Sequence, residues 1–255
     1  PDCLISKRFP IGTKKVIKGA GRGTFMDFYK TWYTPDRMAV VIAGAVEVDK
    51  ILPLIKEQFG SMNRLPVSRA DPDLGTITTG RGVIAKTHYE KEATETNVSI
   101  EVVRPYKWQP DNSEKRIREM ALRIASGIID NRLSERVKKK GAVITGGGCY
   151  AQDFMDFVQF SSIYVTCKPG NWDGALAVAE QEIRRALTHG FTRGEFNEVV
   201  ANIRNGFEQS ARSATSRKSR GLADVIVSSI SRGKVFSSPR QTLAWFNEHI
   251  SLMTA

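Results

Sequence analysis

Histidine and cysteine are both scarce, and neither falls into a metal-binding pattern. His88, His189 and His249 lie far apart, none with a second ligand at helical spacing, so no catalytic zinc is expected in this chain. Cys3, Cys149 and Cys167 likewise lack metal-ligand spacing, and an odd, scattered set suits reduced, buried thiols. Cys149 and Cys167 are expected on adjacent strands of a hairpin turning near Met155, several residues out of register for a disulfide. No Gly-x-Ser-x-Gly elbow is present, which removes one route to a serine nucleophile. No apolar run approaches the roughly 20 residues of a membrane span; the longest, Met38 to Val46, is strand length. Repeats, low-complexity tracts and a charged-then-apolar leader are missing as well. A chain opening Pro1-Asp2-Cys3 is expected to be a piece cut from a longer protein.

Acidic residues are also in deficit, 27 against 38 Lys and Arg, for a net charge of +11. Basic residues gather at Lys7, Arg8, Lys14, Lys15, Lys18 and Arg22, at Lys138 to Lys140, and at Arg212, Arg217, Lys218 and Arg220. They lack the interleaved aromatics of a single-strand-binding platform, and no helix-turn-helix, finger or RNA-recognition motif accompanies them. Nucleic acid and membrane are therefore not expected as partners. The excess is expected to be balanced elsewhere in the parent protein.

What is present is a globular pattern. Residues 1 to 23 read as loop. Thr24 with Asp27 approximates a capping box, and Phe25, Phe28, Tyr29, Trp32 and Tyr33 recur at helical spacing, an aromatic face expected to pack in a core. Pro35 ends that helix. The continuous apolar run Met38 to Gly44 predicts a strand covered on both faces, and Asp49 to Phe59 a helix stopped by Gly60. Residues 63–81 are polar and rich in Pro, Gly and Asp, the best linker in the chain.

Beyond the linker, Gly82 to Thr87 and Asn97 to Val103 read as strands. A long helix starts at Asn112 or Ser113, with Ile117, Met120, Ala121, Ile124, Ala125, Ile128 and Leu133 on one face. Val143 to Asp153 and Phe157 to Cys167 form a hairpin. A helix capped by Asn171 or Asp173 follows, then one opened by the capping box Thr192–Glu195, then helices over 216–231 and 241–250. This order predicts an α+β fold, an antiparallel-rich sheet with helices packed on one face, preceded by the C-terminal part of a similar domain. Gly19, Gly21 and Gly23 precede a helix without dinucleotide spacing or a following Lys-Ser/Thr pair, so a flexible entry loop is expected. Gly146-Gly147-Gly148 inside a strand pattern points to a bulge or a close backbone approach, where an extended peptide could dock.

The order Pro10-Ile11-Gly12, then Phe28-Tyr29-x-x-Trp32-Tyr33-x-Pro35, then the strand ending at Gly44, resembles the later part of the catalytic domain of insulinase/pitrilysin-type zinc peptidases. Asn131-Arg132-Leu133-Ser134-Glu135 resembles a helix end of the family's second, non-catalytic domain. The family's inverted zinc motif, His-x-x-Glu-His, is missing here, and Val143 stands where a tyrosine would follow Arg136 in the family's transition-state pair. The resemblance thus implies structural roles for Pro10, Ile11, Gly12, Phe28, Tyr29, Trp32, Tyr33, Pro35 and Gly44, and no catalytic or metal-binding residue. It implies zinc in the parent protein and none in this chain.

It further implies three parts: 1–62 as the end of the catalytic-type domain, 63–81 as linker, and 82–255 as the second domain. The expected function is that of a fragment of a zinc-dependent metalloendopeptidase. This part would give chamber wall and peptide-binding surface, inactive alone. Its expected partners are a peptide or unfolded polypeptide and the remaining domains of the same parent. The alternatives are a scaffold subunit of the same family and a basic nucleic-acid-binding module. A periplasmic or exported location is the expectation that bacterial relatives suggest.

Overall fold

The computed structural model describes residues 3–8, 12–62 and 69–253. In chain order its elements are α1 (Lys14–Gly19), α2 (Arg22–Trp32), α3 (Val48–Phe59), β1 (Thr96–Pro105), α4 (Ser113–Val137), β2 (Ile144–Phe154), β3 (Val158–Cys167), α5 (Trp172–His189), α6 (Arg193–Arg212), α7 (Ser219–Ser231) and α8 (Pro239–His249). They fall into two compact units, Pro1–Thr76 with Thr215–Phe236, and Ile77–Ala214 with Ser237–Ala255. The α7 segment thus groups with the N-terminal unit rather than with the helices flanking it in sequence.

The first unit is helical and poor in core. A short helix, α1, lies within the stretch read as loop, capped where the Val16 amide donates to Thr13 Oγ1 at 3.3 Å. α2 begins at Arg22 behind Gly21, two residues ahead of the expected Thr24 cap. Its aromatic face does not pack in a core: Phe25 is 65% exposed and Phe28 57%, while Tyr29 and Tyr33 stack on each other at 5.0 Å. The Met38–Gly44 strand does not form either. No regular structure is assigned over 38–43, and Met38, Val40 and Ile42 are each 47% exposed. A run this apolar suits a central strand, and a strand exists only where neighbours complete its ladder. No described residue supplies them.

The second unit carries the sheet. β3 is central, in the order β1-β3-β2, and both pairings are antiparallel. The β2–β3 hairpin turns through Met155 and Asp156, both at positive φ, as expected from the sequence. Cys149 lies opposite Ile163 and Cys167 opposite Ile144, and all three cysteines are free thiols. The expected strand over Gly82–Thr87 is absent: the segment is unpaired, opens on Gly82 at φ +68° and leaves Val83 fully exposed, again for want of a neighbouring strand.

One face of the sheet is covered and the other open. Ile144, Ile163, Val165 and Cys167 pack against Ile129 and Leu133 of α4 and Ala175 and Ala179 of α5. A second cluster joins Met120, Ile124 and Ile128 of α4 to Phe196, Val199, Val200 and Ile203 of α6 and Phe246 of α8. α4 therefore serves both layers, its 120/124/128 stripe facing α6 and its 129/133 pair facing the strands. Burying Leu133 completely stabilises this junction by about 2 kcal/mol. Local signals set the helix starts. The Lys115 amide donates to Asn112 Oδ1 at the head of α4, the Thr192–Glu195 capping box opens α6, and a Ser238–Gln241 box opens α8. No described helix is long and apolar enough to cross a membrane.

Candidate functional site: the glycine edge and open face of the sheet

The open face of the sheet is built from alternate residues of its strands, because successive strand side chains point to opposite faces. Tyr150 and Tyr164 meet there with ring centroids 6.3 Å apart, and Phe154 and Phe160 at 6.4 Å. Gly148 makes the first pair possible. A Cβ at that position would fall 2.8 Å from the Tyr164 hydroxyl and 3.0 Å from its ring, so glycine lets the ring lie flat on the strand. The ladder shifts register between Ile144 and Gly146, the bulge expected at the glycine run.

β2 is an edge strand. Its polar groups alternate between the ladder and the outside, and two contacts fix the phase. The Phe154 carbonyl accepts from the Phe157 amide across the hairpin, and the Cys149 amide donates outward to Asp130 Oδ1 of α4 at 2.6 Å. Odd-numbered residues from Cys149 to Asp153 therefore direct their N–H and C=O groups off the edge. Among the described residues, nothing pairs with those of Ala151 and Asp153. Beside the edge lies a groove of about 380 Å³, walled by Leu122, Ser126 and Asp130 of α4, Ala151 of β2, and Val199 and Ile203 of α6. Burial pushes the Asp130 carboxyl up, and the Cys149 amide partly offsets this. Burial also pushes the Cys149 thiol up, which makes it an inert neighbour rather than a nucleophile.

α4 is held in place by charged pairs. Arg132 donates from Nε to Glu195 Oε1 at 2.6 Å and from Nη2 to Glu195 Oε2 at 2.9 Å, while its guanidinium lies 5.1 Å from the Phe191 ring. The same Glu195 accepts from the Thr192 amide and hydroxyl, so one carboxylate both caps α6 and clamps α4. The Arg132 hydrogen bond, with help from Thr192, holds the Glu195 carboxyl down at about 2. Arg136 donates from Nε at 2.7 Å to Glu182 of α5, whose side chain is completely buried. The 131–135 segment thus braces α4 against α6 through Arg132, and Arg136, just beyond it, is occupied by Glu182.

The residues marked in the sequence are mostly not part of this surface. Pro10 and Ile11 lie outside the described residues. Gly12 has φ +82°, a conformation open to glycine. Phe28 and Trp32 share α2 at 6.3 Å, Arg37 sits 4.8 Å over the Trp32 ring, and Pro35 opens a short 3-10 turn. Gly44 approaches α7, where a Cβ would reach the Ser219 hydroxyl at 3.9 Å. Gly19, Gly21 and Gly23 span the α1–α2 junction. The histidines are separate: His88 pairs with Glu90 at 3.0 Å, His189 ends α5, and His249 stacks on Trp245. Among the described residues no three His, Cys, Asp or Glu side chains gather where they could hold a metal ion, so the residues present do not fit zinc.

The sequence pointed to Gly146–Gly148 but not to Asp130. The available signal was an acidic residue between Ile128-Ile129 and Leu133, on a helix whose neighbouring positions are buried.

Known proteins match most of this chain in sequence and in fold. A zinc protease of Mycobacterium tuberculosis (strain H37Rv), described as uncharacterised, is 26% identical over 219 residues, 82% of this chain and 47% of that protein. The probable zinc protease PqqL of Escherichia coli K12 is 22% identical over 241 residues, 92% of this chain and 25% of PqqL. The chain spans about half or less of the length of these relatives. In three dimensions it resembles the first half of periplasmic PqqL from Escherichia coli, with a TM-score of 0.80 and 20% identity over 99% of this chain and 54% of that one. It also resembles a Peptidase M16 inactive domain from Pseudomonas fluorescens, with a TM-score of 0.64 and 12% identity over 95% and 54%. The Peptidase M16 inactive domain family matches residues 21–203, well over half the sequence. The chain belongs to that family.

Proposed function

We propose that this chain is a non-catalytic part of a zinc-dependent metalloendopeptidase, and that it supplies chamber wall and peptide-binding surface to the parent. The observation that carries this is the sheet of the second unit: helices cover one face, the other bears Tyr150, Tyr164, Phe154 and Phe160, and the rim strand β2 keeps outward polar groups at Ala151 and Asp153. A surface of this kind suits an extended peptide, which gains main-chain bonds at the edge and side-chain contacts on the face. The family match and the zinc-protease relatives support the same reading.

In this reading residues 1–62 are the end of a catalytic-type domain, 63–81 a linker and 82–255 the second domain. Pro10, Ile11, Gly12, Phe28, Tyr29, Trp32, Tyr33, Pro35 and Gly44 would then take their structural roles in the assembled parent rather than in a core of this chain. The exposed aromatics of α2 and the unpaired 38–44 segment support it, since other parts of the parent would cover them. The likeness to periplasmic PqqL supports an exported parent.

Metal analysis and a peptide-binding titration on the purified chain test the proposal. Saturable binding of an unstructured peptide without stoichiometric zinc agrees with it, and no binding overturns the peptide-surface role. The parent's remaining sequence separates an enzyme from a scaffold subunit: an intact His-x-x-Glu-His supports the first, and its absence the second.

A further inference from the structure

We propose that Asp130 closes the β2 edge at Cys149, standing in for one residue of an added strand, so that an extended peptide pairs with Ala151–Asp153 and is excluded from Cys149. This rests on the peptide-surface reading above and says where on that surface the chain would sit.

The argument starts from what the Cys149 amide requires. It points off an edge strand, where solvent or an incoming chain can satisfy it without help. Asp130 instead reaches from α4 to take it at 2.6 Å. The carboxylate gives up part of its hydration in a half-buried position to do so. That cost is unexplained if the only need is a partner for one amide. The side chain also occupies the position a carbonyl of an added strand would take.

The neighbouring positions narrow the choice. Towards the N-terminal end of β2, the register shift between Ile144 and Gly146 interrupts regular pairing, and an added strand cannot run smoothly through it. Towards the hairpin, Ala151 and Asp153 present outward groups two residues apart, the roughly 6.8 Å repeat over which an added strand makes its bonds. Alternate side chains of that strand would meet the α4–α6 groove on one side and Tyr150 and Phe154 on the other. Asp130 thereby fixes which stretch of the edge is open.

Residue-resolved amide exchange by NMR on the full 255-residue chain tests this, with and without a synthetic unstructured Thr/Val-rich peptide. In the unmodified chain alone, the Cys149 amide should exchange at least about tenfold more slowly than those of Ala151 and Asp153, since a hydrogen bond to a charged group exceeds the roughly 1.4 kcal/mol that equals a factor of ten. Peptide should slow Ala151 and Asp153 and leave Cys149 unchanged. In Asp130→Ala the Cys149 amide should exchange fast alone and gain protection with peptide. Asp130→Asn, which keeps an acceptor, should restore the original pattern. Equal exchange at all three amides in the unmodified chain, or added protection of Cys149 by peptide in it, overturns the proposal and leaves the peptide surface standing. Peptide that protects no β2 amide in any of the three proteins overturns both.

Discussion

Arg132 and Glu195 are joined by two parallel hydrogen bonds, 2.6 and 2.9 Å, across the α4–α6 contact, and Glu195 is also the residue that caps α6. The pairing couples a local helix signal to a tertiary contact. Removing the arginine leaves the carboxylate without its main partner and the guanidinium site beside Phe191 empty of packing. Arg132→Ala should destabilise the second unit by roughly 3 kcal/mol, read from urea denaturation. Arg132→Lys should recover only part of this, because an ammonium cannot reproduce the fork. Equal stability of the alanine variant and the parent chain would show the pair to be incidental.

The same carboxylate gives a pH signature. Its folded-state value, about 2, lies below the ordinary glutamate value of 4.5, so the pair contributes fully above about 4.5 and its contribution is lost as pH falls towards 2. Comparing urea midpoints of the chain and Glu195→Gln over that range isolates the effect from other carboxylates. The gap between them should shrink as pH falls from 4.5 to 2. Parallel curves would contradict the assignment.

Glycine positions separate close approach from mere chain flexibility. Gly148→Ala should force the Tyr164 ring off the strand and cost about 1–3 kcal/mol, with a change in the near-ultraviolet circular dichroism of the tyrosines. Combining it with Tyr164→Ala should cost less than the sum of the two. Gly206→Ala, in the middle of α6 with nothing within 4 Å of the new methyl, should instead stabilise by up to about 1 kcal/mol. A neutral Gly148→Ala would remove the close approach as the reason for glycine there.

The α2 aromatics carry the reading of the first unit. Phe25 and Phe28 are more than half exposed, so replacing both with serine should leave the unfolding midpoint of this chain unchanged. It should also reduce self-association in sedimentation velocity, because an exposed apolar patch is removed. A loss of about 3 kcal/mol or more, as for buried phenylalanines, would place them in a core after all.

Which features were legible in the sequence follows from how local their causes are. Thr192–Glu195 and Asn112 were readable because a cap involves neighbours three residues apart. The α4 stripe was readable from its period, and the hairpin turn at Met155 from the two apolar runs around it. Met38–Gly44 and Gly82–Thr87 misled for one reason: their composition reports a strand's environment, and no described residue supplies that environment. Phe25, Phe28 and Tyr29 misled in the same way. The Asp130–Cys149 contact was invisible because the spacing of two residues in different elements says nothing about their approach.

The central claim is that this chain can hold a peptide but cannot cut one. Incubating the purified, zinc-supplemented chain with an unstructured peptide, and following the peptide's intact mass, tests it most directly. The account predicts that the peptide remains whole throughout. Fragments released by this chain, and abolished by a chelator, would contradict it.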